Sequence, residues 1–246
     1  MDSHDITVTV PWMGAGTEFL GRIVGAQPDD AFRAPSALPG WSRAHVVAHL
    51  ARNAEALSRL ANWARTGVET PMYADREQRA AEIESSAQAP VESLRRGLVS
   101  TADELDAALA ALDDTAWRAE VRTALGRAVP AAEVPWMRVR EVWLHAIDLD
   151  VGAAVADLPA EIVDALLDDV TATLSSRGDC PTVRLAPVDR DRRWPLGPEP
   201  DERSVEVRGD AAWVLGWLIG RTAGAGVDAV DAGGGPAALP AAPRWL

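Results

Sequence analysis

The chain has 246 residues, of which 48% are hydrophobic, so it can build a substantial buried core. Its formal charge of −13 at pH 7 argues against a nucleic-acid-binding protein, because phosphate contacts need clustered cations and no basic run is present. All 24 basic residues are arginine, which excludes mechanisms that need a lysine, such as a pyridoxal phosphate Schiff base or a Walker-type phosphate loop.

Features that would place the chain outside the cytoplasm do not occur in the sequence. No apolar run reaches the roughly 20 residues that span a bilayer. Residues 1–10 lack the basic start and apolar stretch of a signal peptide. The single cysteine, Cys180, cannot form an internal disulfide, as is usual in a reducing compartment. We therefore expect a cytoplasmic protein that does not contact a membrane.

Helical periodicity dominates the first part of the chain. Four segments have apolar residues at helical spacing: 12–24, 42–65, 91–112 and the segment between Pro135 and Gly152. Ser42 can cap the second helix and Gly67 can end it, and a loop follows at residues 70–76. Four helices with long connections predict a helical bundle, whose interior is a common place for a metal site.

The pattern changes after residue 158. A helix is predicted at 159–176 and another at 211–220, with short β-type runs at 182–186, 204–207 and 227–230. The arginine- and proline-rich segment between the first two runs reads as a loop. The expected fold class is therefore α+β, with a helical bundle at residues 1–154 and a small mixed α/β domain at residues 155–246.

Glu141, His145 and His49 are the candidate metal ligands. Glu141 and His145 are four residues apart, so on a helix they lie one turn above each other and can bind one ion. Apolar neighbours predict that His49 points inward from its own helix. Two imidazoles and a carboxylate suit zinc or a similar divalent ion and leave positions open for catalysis. The spacing equally permits an exposed Glu141–His145 pair, and His45, one turn before His49, is an alternative ligand.

Two other patterns do not support a function. Cys180 has no histidine nearby in sequence, so an incidental thiol is favoured over a nucleophile. A possible strand at 6–10, followed by Gly14, Gly16 and Gly21, mimics a dinucleotide-binding loop. The spacing fails because Phe19 occupies the position of the third glycine.

Several motifs make the chain recognisable. They are Gly40-Trp41-Ser42-Arg43 with His45-Val46-Val47-Ala48-His49, Asn62-Trp63-Ala64, Glu69-Thr70-Pro71-Met72-Tyr73, the helix segment 136–149, and Pro243-Arg244-Trp245-Leu246 at the end. With these motifs the chain resembles the mycothiol-dependent maleylpyruvate isomerases of actinobacteria over nearly its whole length. The tryptophan, histidine, Glu-x-x-x-His and aspartate pattern is shared by a wider group with a DinB-like metal-binding bundle.

The resemblance implies a fold, a site and a reaction. It implies a DinB-like four-helix bundle with Zn²⁺ or another divalent metal bound by His49, Glu141 and His145, which selects His49 over His45. It also implies that Arg221, in the C-terminal domain, faces the metal and is needed for activity. The implied reaction belongs to gentisate degradation: the mycothiol thiolate adds reversibly to maleylpyruvate, so that the cis double bond can rotate, and leaves to give fumarylpyruvate.

Two alternatives to the isomerase remain open at this stage. One is a mycothiol S-transferase on the same scaffold, and the other is a non-catalytic zinc-binding regulatory protein. The loop 69–73 and Arg221 favour the isomerase. The expected partners are a small-molecule substrate and a low-molecular-weight thiol, with neither nucleic acid nor membrane, and a monomer is the expected state.

Overall fold

The described residues of this computed structural model, 5–201, 203–242 and 245, divide between Ala153 and Ala154 into two units. In the described residues the N-terminal unit is helical apart from one hairpin, and the C-terminal unit combines helices with a four-stranded sheet. This arrangement confirms the α+β fold class. The domain bounds 1–154 and 155–246 remain a proposal, which this division supports.

Within residues 5–153, the N-terminal unit has four long α-helices and two shorter ones. They are α1 Ile6–Ala26, α2 Arg43–Thr66, α3 Arg76–Ala87, α4 Val91–Ala110, α5 Asp114–Arg118 and α6 Val134–Asp148. Helix α2 packs against α3, α4 and α6, and α1 packs against α6. The four helices predicted from periodicity therefore exist, and α2 lies at the centre of their packing.

Helix α2 has the caps that its sequence predicts. Its first residue follows Ser42, and it ends at Gly67, whose φ of 72° is the left-handed conformation that glycine adopts at helix ends. The face that includes Val46, Leu50 and Leu57 is fully buried. Full burial of each leucine stabilises the fold by roughly 1.5–3 kcal/mol. This buried face also carries His49.

Helix α6 packs against α1 at a glycine. Pro135 lies in its first turn, as predicted, because a proline there sacrifices no helical hydrogen bond. A Cβ atom added to Gly16 of α1 would lie 2.5 Å from Val142 and 2.7 Å from the indole nitrogen of Trp143. That nitrogen donates a hydrogen bond to the carbonyl of Trp12 at 3.2 Å. Gly16 is therefore the residue that lets the two helices approach each other.

Parts of the N-terminal unit differ from the sequence prediction. Residues 6–10 were a possible strand, but they form the first turns of α1. Helix α3 was not predicted, and neither was the antiparallel hairpin of β1 Glu120–Arg122 and β2 Ala128–Pro130. The dinucleotide-loop resemblance fails for a second reason, because Gly14 and Gly16 lie inside a helix.

The C-terminal unit holds helices α7 Ala160–Ser175 and α8 Ala211–Leu218 and one sheet. Its strands are β3 Val183–Leu185, β4 Trp194–Leu196, β5 Val205–Arg208 and β6 Asp228–Val230, in the order β4-β3-β5-β6. Strands β3 and β5 run parallel, and the outer strands are antiparallel to them. Strand β4 lies where a loop was expected. Across the described residues, no helix has the length and apolar character needed to cross a membrane.

Candidate metal centre

The three predicted ligands meet between α2 and α6. The Nε2 atom of His49 lies 2.8 Å from Oε2 of Glu141 and 3.1 Å from Nε2 of His145. The same Glu141 oxygen lies 3.1 Å from Nε2 of His145. One atom from each side chain therefore forms a small triangle. Only 3% of His49 is exposed to solvent, so this triangle is not a surface ion pair.

A buried arginine ties together the two helices that carry the triangle. Arg138 lies one turn before Glu141 on α6. Its Nη1 atom donates hydrogen bonds to the carbonyl of Leu50 at 2.7 Å and to Oδ1 of Asn53 at 2.8 Å, both on α2. Burial lowers the pKa of this guanidinium to about 10, so it stays charged at neutral pH. The register of α6 against α2 is thereby held next to the ligands.

The triangle fits a divalent ion. Zinc binds imidazole nitrogen and carboxylate oxygen at about 2.0–2.2 Å, so the ligand atoms of a tetrahedral site lie roughly 3.3 Å apart. The observed distances of 2.8 and 3.1 Å need to lengthen by only a few tenths of an ångström. Three protein ligands also leave a fourth position for water or substrate. This donor set is one that zinc and similar ions accept.

Opposing effects set the charge of Glu141. Burial favours the neutral carboxyl group, but electrostatic interactions and hydrogen bonds with His49 and His145 outweigh it. They hold the pKa of Glu141 well below its usual range. The carboxylate is therefore ionised at neutral pH and available as an oxygen ligand.

Asp148 contacts the ring nitrogen of His145 that is not part of the triangle. The Nδ1 atom of His145 lies 2.8 Å from Oδ2 of Asp148, a residue that is only 1% exposed. Burial disfavours a charged ring, yet the hydrogen bonds to Asp148 and Glu141 raise the pKa of His145 to about 9. A carboxylate that accepts the Nδ1 proton directs Nε2 toward the triangle, as in many zinc sites.

The surroundings of His49 lower its pKa, whereas those of His145 raise the pKa of that ring. Burial lowers the pKa of His49, and the nearby positive charges of His145 and Arg79 act in the same direction against Glu141. Arg79, on α3, places Nη2 3.3 Å from Nδ1 of His49. The Trp41 ring is a further neighbour, with its centroid 5.6 Å from that of His49 and its plane tilted by 57°. His49 is therefore neutral in the absence of metal and is shielded from water.

His45 does not join the triangle. Its Nδ1 atom accepts a hydrogen bond from the backbone N–H of Ser42 at 3.2 Å, and its Nε2 lies 3.1 Å from Oε2 of Glu84. The ring therefore belongs to the start of α2 and to a surface contact with α3. Of the two histidines that the sequence left as alternatives, His49 is the one brought to Glu141 and His145.

The remaining predicted site residue, Arg221, lies in the C-terminal unit, as does the single cysteine, which was not predicted to have a role. Arg221 follows α8 by three residues, and its Nη1 donates to the carbonyl of Ile219 at 2.9 Å. Its catalytic role stays a prediction. Cys180 is partly buried, and burial together with Asp179 raises the pKa of its thiol. Such a thiol stays protonated near neutral pH and is a weak nucleophile.

Sequence reasoning gave no role to Asp148, Arg79 or Tyr73. Asp148 follows His145 by three residues, and this spacing on one helix face is a signal that could have identified it. Arg79 had no such signal, because its contact with His49 spans 30 residues and its helix was not predicted. Tyr73 lies in the loop 69–73 beside Arg79.

The helical bundle and its His-Glu-His cluster define a protein able to hold a divalent ion between two packed helices. Residues 13–150 match the model of the mycothiol maleylpyruvate isomerase N-terminal domain, and residues 157–241 match that of the MDMPI C-terminal domain. The chain belongs to the mycothiol maleylpyruvate isomerase family. No curated protein sequence matches it.

Two solved structures are similar to this chain over the full length of both compared chains. One is a crystal structure of the mycothiol-dependent maleylpyruvate isomerase, with 35% sequence identity, 100% coverage of each chain and a TM-score of 0.90. The other is a mutant of that isomerase in which one histidine is replaced by alanine, with the same 35% identity, 100% coverage of each chain and TM-score of 0.90. The family assignment therefore rests on sequence and on fold.

Proposed function

We propose that this protein is a metal-dependent cis-trans isomerase that converts maleylpyruvate to fumarylpyruvate with mycothiol as its thiol cofactor. The observation that carries the proposal is the match to the isomerase structure over 100% of both chains at 35% identity. The convergence of His49, Glu141 and His145 supports it, because it provides a place for the metal.

The reaction has a requirement that this site can meet. Rotation about the substrate's double bond is too slow while that bond is intact. Addition of a thiol to one alkene carbon makes the bond single, and departure of the thiol after rotation restores the alkene in its trans form. A divalent ion held here would supply Lewis-acid chemistry, because it would lower the pKa of a thiol or stabilise the negative charge that addition creates.

In this proposal, the residues of the chain bind the metal ion, orient its ligands and bind the substrate. His49, Glu141 and His145 would hold the ion, and Asp148 would fix the ring of His145. The ring of His49 is buried, and the Trp41 ring lies next to it. Arg221 would bind a substrate carboxylate through its planar guanidinium, as the family resemblance implies. The raised pKa of Cys180 supports a thiol that comes from solution.

Zinc is the proposed metal because two imidazoles and one carboxylate suit it, although the same set accepts related divalent ions. The cytoplasm is the proposed location, because a low-molecular-weight thiol stays reduced there. Mycothiol and a small dianionic substrate are the proposed partners. A monomer remains the expected state.

The test is an assay of maleylpyruvate isomerisation by the metal-loaded protein, with and without mycothiol. Fumarylpyruvate should form only when mycothiol is present, and removal of the metal with a chelator should stop its formation. The variant Cys180→Ser is the matched control and should behave as wild type. Isomerisation without any thiol would reject the mechanism. A stable thiol adduct as the final product would favour an S-transferase, and no turnover with any thiol would favour a non-catalytic protein.

A further inference from the structure

Arg79 is a cation at the edge of the candidate metal centre. Its Nη2 lies 3.3 Å from Nδ1 of His49, and its Cζ lies 5.6 Å from the centroid of the Tyr73 ring. Over the described parts of the chain, no carboxylate comes within 4.0 Å of the Arg79 guanidinium nitrogens. A half-buried arginine beside the ligand triangle is thus held by a neutral ring and an imidazole rather than by an anion.

The contact between Arg79 and His49 depends on which imidazole nitrogen carries the proton. A guanidinium only donates hydrogen bonds, so Nδ1 of His49 must accept through its lone pair. In a neutral imidazole the proton is then on Nε2, which lies 2.8 Å from Oε2 of Glu141 and can donate to it. Both contacts are satisfied together in the metal-free site.

Metal binding is incompatible with this arrangement. A metal ion at the triangle takes the Nε2 lone pair of His49, so a neutral ring must carry its proton on Nδ1. Two donors, Nδ1–H and the guanidinium, would then face each other at 3.3 Å. Arg79 therefore loses its hydrogen bond to His49 when the site is loaded, and the nearby Tyr73 ring is a cation–π contact that does not depend on the metal.

We propose that Arg79 binds a carboxylate of the substrate and that metal loading frees it to do so. This inference rests on the proposed function, because a dianionic substrate is what gives the released guanidinium an anion to bind. Arginine pairs with carboxylate through two parallel hydrogen bonds, which both strengthens and orients the contact. A substrate with two carboxylates can engage Arg79 with one of them whatever the role of Arg221.

The test uses the Zn²⁺-loaded protein and succinate, a dicarboxylate without a double bond to attack. Calorimetry should show that Arg79→Gln binds succinate about 10- to 100-fold more weakly than wild type, as expected for loss of charge-assisted hydrogen bonds. With maleylpyruvate and mycothiol, KM should rise by a similar factor while kcat changes less. Arg79→Lys should recover part of the loss. Arg76→Gln, an exposed arginine on the same helix, is the control and should bind succinate as wild type does.

The Zn²⁺ affinity of the Arg79 variant distinguishes a role of Arg79 in anion binding from a structural role at the metal centre. Arg79→Gln should bind Zn²⁺ at least as tightly as wild type, because the substitution removes a cation and a competing donor from His49. Equal succinate affinity in Arg79→Gln and wild type would overturn the proposal, and so would loss of Zn²⁺ from the variant. Since succinate is not isomerised, the comparison decides the role of Arg79 independently of whether maleylpyruvate is the substrate.

Discussion

His45 and His49 lie one turn apart on α2, yet only His49 reaches Glu141 and His145. Replacing His49 by alanine should therefore abolish stoichiometric metal binding, measured by elemental analysis of the purified protein. His45→Ala should keep the metal and lose only about 1–2 kcal/mol of unfolding free energy, because the contacts of its ring with Ser42 at the start of α2 and with Glu84 disappear. Equal metal loss in the two variants would contradict the choice between them.

Asp148 is expected to act through His145 rather than on the substrate. Asp148→Asn keeps the shape of the side chain but removes the charge that supports the His145 ring. Metal affinity should fall by about 10-fold or more, as is typical when the partner of a metal-bound histidine is changed. Asp150→Asn is a matched control, since Asp150 is exposed and its φ of 54° is one that asparagine tolerates. A metal affinity unchanged in Asp148→Asn would show that His145 needs no such support.

The pKa of His145 predicts how the metal-free protein responds to pH. Because the folded-state pKa is raised from 6.5 to about 9, protonated His145 stabilises the fold fully below pH 6.5. That contribution is lost as the pH rises through about 9. Denaturant unfolding of the metal-free protein at about pH 6 and about pH 9.5 should show a lower unfolding free energy at the higher pH.

Metal binding near pH 7 should release about one proton, the one on Nε2 of His145, because Glu141 is already ionised and His49 is neutral. Calorimetric titration with Zn²⁺ in buffers of different ionisation enthalpy measures that number. A heat that does not depend on the buffer would contradict the protonation state assigned to His145.

At the level of helices and strands, the sequence patterns predicted the long helices, the short helix α8 and the strands β3, β5 and β6. They missed α3, α5, the β1–β2 hairpin and β4. Helix α2 was readable because its buried residues recur regularly between two clear caps. Helix α3 has only Ile83 and Ala87 buried, which is too sparse a pattern to detect. Strand β4 contains Pro195, which argues against a strand in the middle of a sheet but is tolerated here because β4 lies at the edge.

The candidate metal centre was also predictable only in part, because some of its contacts lie within one helix and others join different helices. Glu141 and His145 share one helix, so their spacing shows in the sequence. The choice of His49 over His45 came from the family resemblance, because spacing alone permits either. The contact of Arg79 with His49 depends on the packing of α3 against α2, which no local pattern encodes.

Two glycines on α1 give a matched test of helix packing. Gly16→Ala should destabilise the protein by roughly 1–3 kcal/mol, because the new methyl group would overlap Val142 and Trp143. A Cβ at Gly14 meets no atom within 4 Å, so Gly14→Ala should stabilise the helix by about 0.5–1 kcal/mol. Denaturant unfolding of both variants measures the difference. If they shift stability in the same direction, α1 and α6 are not as closely packed as described.

At the scale of the whole molecule, Arg221 tests whether the C-terminal unit contributes to function. Arg221→Lys should fold and retain its metal but turn over maleylpyruvate poorly, because a point charge cannot reproduce the two-pronged contact of a guanidinium. The measurement is kcat/KM together with bound metal. Arg203→Lys, an exposed arginine of the same unit, should match wild type. Wild-type kinetics in the Arg221 variant would remove that residue from the mechanism.

His49 and Glu141 are separated by 92 residues of chain. An ion held by both would act as a removable crosslink that only the folded chain can form, so its binding would stabilise the folded state. At a free-ion concentration about 1,000 times the dissociation constant, binding would add roughly 4 kcal/mol to the unfolding free energy. The lifetime of the protein in a cell would then follow the supply of the metal, so that scarcity would remove the polypeptide as well as its activity.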